Sequence, residues 1–140
     1  MGHEVAHALA NHGQQRMSAG MIQQAGAIGV AAASNDKSST EQRIWMQAYG
    51  VSSSVAGVLP FSRSHETEAD KIGLYLMAIA GYSPEEASKL WERMKANSGG
   101  KAPPEFLSTH PSNDSRIANL RSLSNQAKEE ALKFGVTSFR

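Results

Sequence analysis

Apolar residues recur along most of this chain at three- and four-residue intervals, and no stretch alternates apolar and polar convincingly enough to suggest a strand. Val5, Ala6, Leu9, Ala10 and Met17 make a helical stripe over residues 1–17. Residues 18–33 continue as a small-residue segment in which Gly20, Gly26 and Gly29 argue against one straight helix. The polar run "SNDKSST" (34–40) is expected to be a loop, and Ile44, Trp45, Ala48 and Tyr49 restart a helix at 41 that fades into Ser and Gly before Pro60. The strongest pattern lies over 62–82, where Ala69, Ile72, Gly73, Leu76 and Ala80 share one side and Gly81 is placed to cap the C-terminus. Ser83, Pro84 and Glu86 predict a capped start for a helix over 83–100 ending at Gly99-Gly100. A proline-bearing connection (101–115) leads to a last helix from about 114 to 134, carried by Ile117, Leu120, Leu123, Ala127 and Leu132. The expected class is mainly α. There is no internal repeat.

At 140 residues the chain suits one domain, 1–140, with a core of its own. Fourteen Lys and Arg balance thirteen Asp and Glu, which leaves no basic face for a nucleic-acid backbone and argues against DNA or RNA as a partner. Cysteine is absent, so disulfide scaffolds and cysteine-zinc ribbons are excluded. The most apolar run, "AGAIGVAAAS" (25–34), is too short to cross a bilayer.

The chemistry concentrates near the start. In "HEVAH", His3 and His7 stand four apart, which puts both imidazoles on one helix face where two ring nitrogens can bind one zinc ion. Glu4 flanks that ion and can take a proton from zinc-bound water, the metallopeptidase reading of His-Glu-x-x-His. The plainer reading is a surface helix holding two histidines by chance, so a third ligand is needed. The metzincin continuation would place Gly at 10 and His at 13, where this chain has Ala10 and Gly13. His12 lies about 140° around the helix from His7 and is read as structural or as a support behind the ligands. "ETEAD" (66–70) offers another route: Glu66 and Asp70 share a face, one to donate a carboxylate oxygen and the other to fix a histidine tautomer. A solvated acidic patch paired with Arg63 and Lys71 is the alternative there. The motif also opens the chain without room for a cap or a supporting turn, so the chain is expected to be an N-terminally truncated fragment.

"HEVAH", "SRSHETEAD" and "STHPSNDSRI" occur in the order and at the spacing of one family. Together they resemble the HtpX-like and CAAX-prenyl-endopeptidase family of gluzincin zinc metallopeptidases, most similar to its bacterial-envelope branch. The resemblance implies a zincin-type helical core, and marks the family's N-terminal β-sheet, with its substrate-pairing edge strand, as missing here. It implies one Zn2+ per chain held by His3, His7 and Glu66, with Glu4 as general base. It also implies catalytic roles for His110, as a donor to the developing oxyanion, and for Arg116, as its support or a substrate contact. The plainer role for His110 is to buttress the last helix. By the same resemblance the protein is a zinc-dependent endopeptidase in quality control of the cell envelope, on its periplasmic side. Its substrates are unfolded or membrane-associated proteins, with membrane association of the full-length protein and self-association of the truncated chain through an exposed core face. The rival from another class is a helical, chaperone-like binding domain with an unoccupied or vestigial metal site.

Overall fold

The computed structural model describes residues 1–97 and 114–140, and all the regular structure in these residues is helical. Among the described residues six α-helices follow in order: α1 (Gly2–Leu9), α2 (His12–Ala33), α3 (Ser39–Ser53), α4 (Leu59–Ile79), α5 (Glu85–Asn97) and α6 (Asp114–Leu132), with a π-helical turn, Ser54–Val58, joining α3 to α4. The mainly α expectation holds. Several boundaries differ from the pattern.

The stripe over 1–17 is broken at Asn11, whose left-handed backbone (φ 55°) ends α1 and starts α2. Asparagine tolerates that region better than most residues, so the break needs no glycine. The three glycines of 18–33 sit inside one continuous α2: Gly26 lies under Tyr49, while Gly20 and Gly29 face open space and are carried at the modest cost of their helix propensity. The run 39–79 is helical throughout: the π turn Ser54–Val58 carries the Ser- and Gly-rich stretch and breaks the regular i→i−4 ladder just before Pro60, which has no N–H to continue it. A capping box forms at Ser38: its hydroxyl accepts from the Glu41 N–H, and the Glu41 carboxylate accepts from the Ser38 N–H at 2.9 Å. At α5 the expected box is replaced, since the Ser83 hydroxyl donates to Glu85 and the Glu86 carboxylate pairs with Lys89. Gly81, at φ +81°, caps α4 as expected. The terminating glycines at 99 and 100 and the connection after them lie outside the described residues.

The chain divides into two compact units. One joins Met1–His7 to Glu66–Arg140. Its core is Leu74, Ala78, Trp91, Ile117, Leu120, Ala127 and Ala131, drawn from α4, α5 and α6. The C-terminal tail is tied in by paired backbone bonds between Arg140 and residues 81 and 83, which brings Val136 and Phe139 against that core. In the same unit the start of α1 presses onto α4 through Gly2 and Gly73. A Cβ on Gly73 would stand 2.8 Å from the His3 backbone nitrogen, and one on Gly2 would stand 2.6 Å from the Gly73 carbonyl oxygen. Only glycine permits that approach. Ala6 and Ala69, both fully buried, are equally small.

The other unit, Ala8–His65, is built on α2 and α3. The Tyr49 hydroxyl donates to the Gln23 carbonyl at 2.9 Å and passes over Gly26, where a Cβ would meet the phenol oxygen. His12 and His65 are buried and stack face to face, with ring centroids 4.1 Å apart. The Gln15 amide oxygen lies 2.9 Å from His65 Nε2. His12 therefore packs in the core of this unit, at the start of α2 and not on the helix that carries His7. No helix among the described residues is long and apolar enough to cross a membrane.

Candidate metal centre

The close approach of α1 and α4 at Gly73 brings together side chains separated by some sixty positions. His3 and His7, one turn apart on α1, turn their Nε2 atoms toward each other at 3.0 Å, and their rings meet edge to face. Glu66 on α4 offers one carboxylate oxygen to each, 3.4 Å from His3 Nε2 and 3.2 Å from His7 Nε2. These three residues form the one group of potential metal ligands found among the described residues. Tetrahedral zinc with bonds of about 2.0–2.1 Å places neighbouring donor atoms about 3.3–3.4 Å apart, and one ligand atom from each of the three residues lies within 4.8 Å of the others, near enough to close on one ion. The donor chemistry, two imidazole nitrogens and one carboxylate oxygen, is that of an open zinc site rather than a closed structural one. The residues present fit the ion.

Asp70, one turn beyond Glu66, stands behind the ligands. Its Oδ1 lies 2.9 Å from His3 Nδ1. A carboxylate at that distance selects the tautomer with the proton on Nδ1 and leaves Nε2 facing His7 and Glu66. Burial pushes the His3 imidazole down, but hydrogen bonds to Asp70 and Glu66 more than reverse this and hold it at about 9. A ligand imidazole must be neutral, so metal binding at His3 is coupled to release of its proton.

Arg116 enters from α6 and is almost wholly buried, at 8% exposure. Its Nε and Nη2 donate to the two oxygens of Asp70 at 2.6 and 2.7 Å, and its Nη1 reaches Glu66 Oε2 at 3.0 Å. The fork geometry of guanidinium matches a carboxylate in this way where a lysine would not. Glu66 and Asp70 therefore face a buried arginine and the ligand histidines, while Arg63 and Lys71 are exposed. Glu68 is exposed on the opposite side of α4. Glu4 follows His3 on α1 and is also exposed. His110 lies outside the described residues.

Two features were not anticipated from the pattern. One is that Arg116 joins the carboxylates of α4. A cation one position before Ile117 and one turn before Leu120, on the buried face of a helix, is the signal that could have pointed to it. The other is Trp91 of α5, whose ring lies 4.0 Å from the Arg116 Cζ and has no signature in sequence beyond apolar periodicity.

The model of peptidase family M48 matches residues 1–124. The mitochondrial metalloendopeptidase OMA1 of Schizosaccharomyces pombe is 38% identical over 122 residues, covering 86% of this chain and 34% of that protein. The human metalloendopeptidase OMA1, mitochondrial, is 32% identical over 142 residues, covering 91% of this chain and 25% of that protein. The beta-barrel assembly-enhancing protease of Escherichia coli K12 is 33% identical over 73 residues, 51% of this chain and 15% of that protein. The chain thus spans about a third or less of the length of each of these relatives. No solved structure matches it. The periplasmic setting expected from resemblance to the envelope branch is overturned: yeast, plant and human relatives are mitochondrial by name, and those of Schizosaccharomyces pombe and human match along most of the chain.

Proposed function

The chain belongs to peptidase family M48, and from that premise we propose that it is a zinc-dependent endopeptidase, with His3, His7 and Glu66 as the ligands and Glu4 as the general base. The observation that carries this reading is the convergence of those three side chains, one ligand atom of each lying within 4.8 Å of the others. A bound zinc ion supplies Lewis acidity, which makes water a competent nucleophile near neutral pH.

The protein's own groups do the rest. The Glu4 carboxylate, one residue along α1 from His3, receives a proton from the attacking water and returns it to the leaving amine. Asp70 holds the His3 proton on Nδ1. Arg116 keeps both carboxylates of α4 aimed, and its buried bonds to Asp70 and Glu66 support that orienting role over direct contact with substrate. His110 donates to the carbonyl oxygen as it gains negative charge. The 140 residues serve as one catalytic domain, a reading supported by a family match that runs through both compact units.

The substrates we propose are unfolded or membrane-associated proteins, in a quality-control role in mitochondria. The names of the relatives support this, since they describe endopeptidases of mitochondria and a protease that enhances β-barrel assembly. The test is Glu4→Gln. The variant is expected to keep one zinc per chain and to lose cleavage of unfolded casein by at least about a hundred-fold. Cleavage undiminished in the variant, or insensitive to a chelator, contradicts the assignment.

A further inference from the structure

We infer that Trp91 is a positioning residue for the metal centre, acting through the Arg116 guanidinium that lies on its indole face. The inference rests on the zinc reading above and goes beyond it, since Trp91 sits on α5, which bears no ligand.

All five N–H donors of a guanidinium lie in its plane, and its two faces have none. At Arg116 the edge is committed to Asp70 and Glu66, through bonds of 2.6, 2.7 and 3.0 Å. One face is met by the Trp91 ring, 4.0 Å from Cζ to centroid. Trp91 is 6% exposed and Arg116 8%, so water is largely excluded from the stack. There the indole quadrupole supplies the attraction that solvent would otherwise give the cation, and tryptophan does this better than any other side chain. The stack also restricts rotation of the guanidinium about its own stem. The Trp91 ring thus helps to hold the Arg116 guanidinium in place, and the guanidinium holds the orientation of two carboxylates. One of them is a ligand and the other holds the tautomer of His3.

Trp91 also belongs to the core with Leu74, Ile117 and Leu120. A purely structural role needs only its apolar volume. The two roles separate when the ring is electronically weakened at nearly constant size. Trp45, 55% exposed, is replaced by Phe so that Trp91 is the only tryptophan. The full 140-residue chain is then produced with tryptophan or with mono-, di- and trifluorotryptophan, and its zinc affinity is measured by competition with a chromophoric chelator.

Affinity is expected to fall with each added fluorine, by about three- to ten-fold across the series, as the ring's attraction for the cation is withdrawn. In an Arg116→Gln background the same series should be flat, because coupling requires both partners. A flat series with Arg116 present, or an equal slope without it, overturns the inference. Absence of stoichiometric zinc in the unfluorinated protein instead overturns the metal reading on which it rests.

Discussion

His3 and Asp70 meet through a ring nitrogen and a carboxylate oxygen 2.9 Å apart, and that contact decides which nitrogen of His3 faces the other ligands. Asp70 is 5% exposed and is itself held by two bonds from Arg116. Replacing it with Asn keeps the shape, removes the charge, and leaves Arg116 short of an anion in a buried place.

Asp70→Asn is therefore expected to weaken zinc binding by about ten- to a hundred-fold, the usual cost of losing a group that orients a ligand histidine. Chelator competition measures it. Affinity within two-fold of the parent protein contradicts the role given to this carboxylate.

Gly73→Ala tests the approach of α1 to α4. The new methyl would stand 2.8 Å from the His3 nitrogen and 2.9 Å from the Gly2 carbonyl carbon, both backbone atoms that cannot swing aside. Overpacking of this kind costs about 1–3 kcal/mol, and here it pushes two ligands away from the third. Both Tm and zinc affinity should fall. Gly29→Ala, with nothing within 4 Å of the added carbon, is the control and should be neutral or slightly stabilising. Equal behaviour of the two variants contradicts the account.

Glu85 and Lys128 clamp the start of α5 to α6. The Lys128 ammonium is the main reason the Glu85 carboxyl falls from its ordinary 4.5 to about 2, with the Ser83 hydroxyl adding to it and burial opposing. A carboxyl lowered on folding stabilises the fold fully above its ordinary value, and that contribution is lost as pH falls from about 4.5 toward about 2. In the presence of a chelator, Glu85→Gln should lower Tm at neutral pH and flatten its decline across that window. Parallel curves for variant and parent contradict the assignment.

The helical class and the candidate ligands were legible because both rest on local periodicity. Four-residue spacing puts His3 beside His7, and Glu66 beside Asp70, before any tertiary structure exists. What brings the two pairs together is Gly2 against Gly73, and two glycines in separate helices carry no mark of being partners. The break at Asn11 was hidden because a single left-handed residue leaves the apolar stripe on either side intact. Ser38 and Ser83 each precede a glutamate by three positions, yet only Ser38 forms the capping box. At Ser83 the neighbouring Glu85, already drawn to Lys128 of α6, takes the hydroxyl instead. The stacking of Arg116 on Trp91 is likewise a tertiary contact between α5 and α6, which neither helix encodes alone.

X-ray absorption at the zinc edge, on protein loaded with one equivalent of zinc, tests the convergence of α1 and α4 most directly. The expected spectrum shows nitrogen and oxygen neighbours at about 2.0–2.1 Å with multiple scattering from two imidazoles, falling to one in either His3→Ala or His7→Ala. A spectrum with no imidazole scattering, or one that both substitutions leave unchanged, would mean that these histidines and Glu66 do not share an ion.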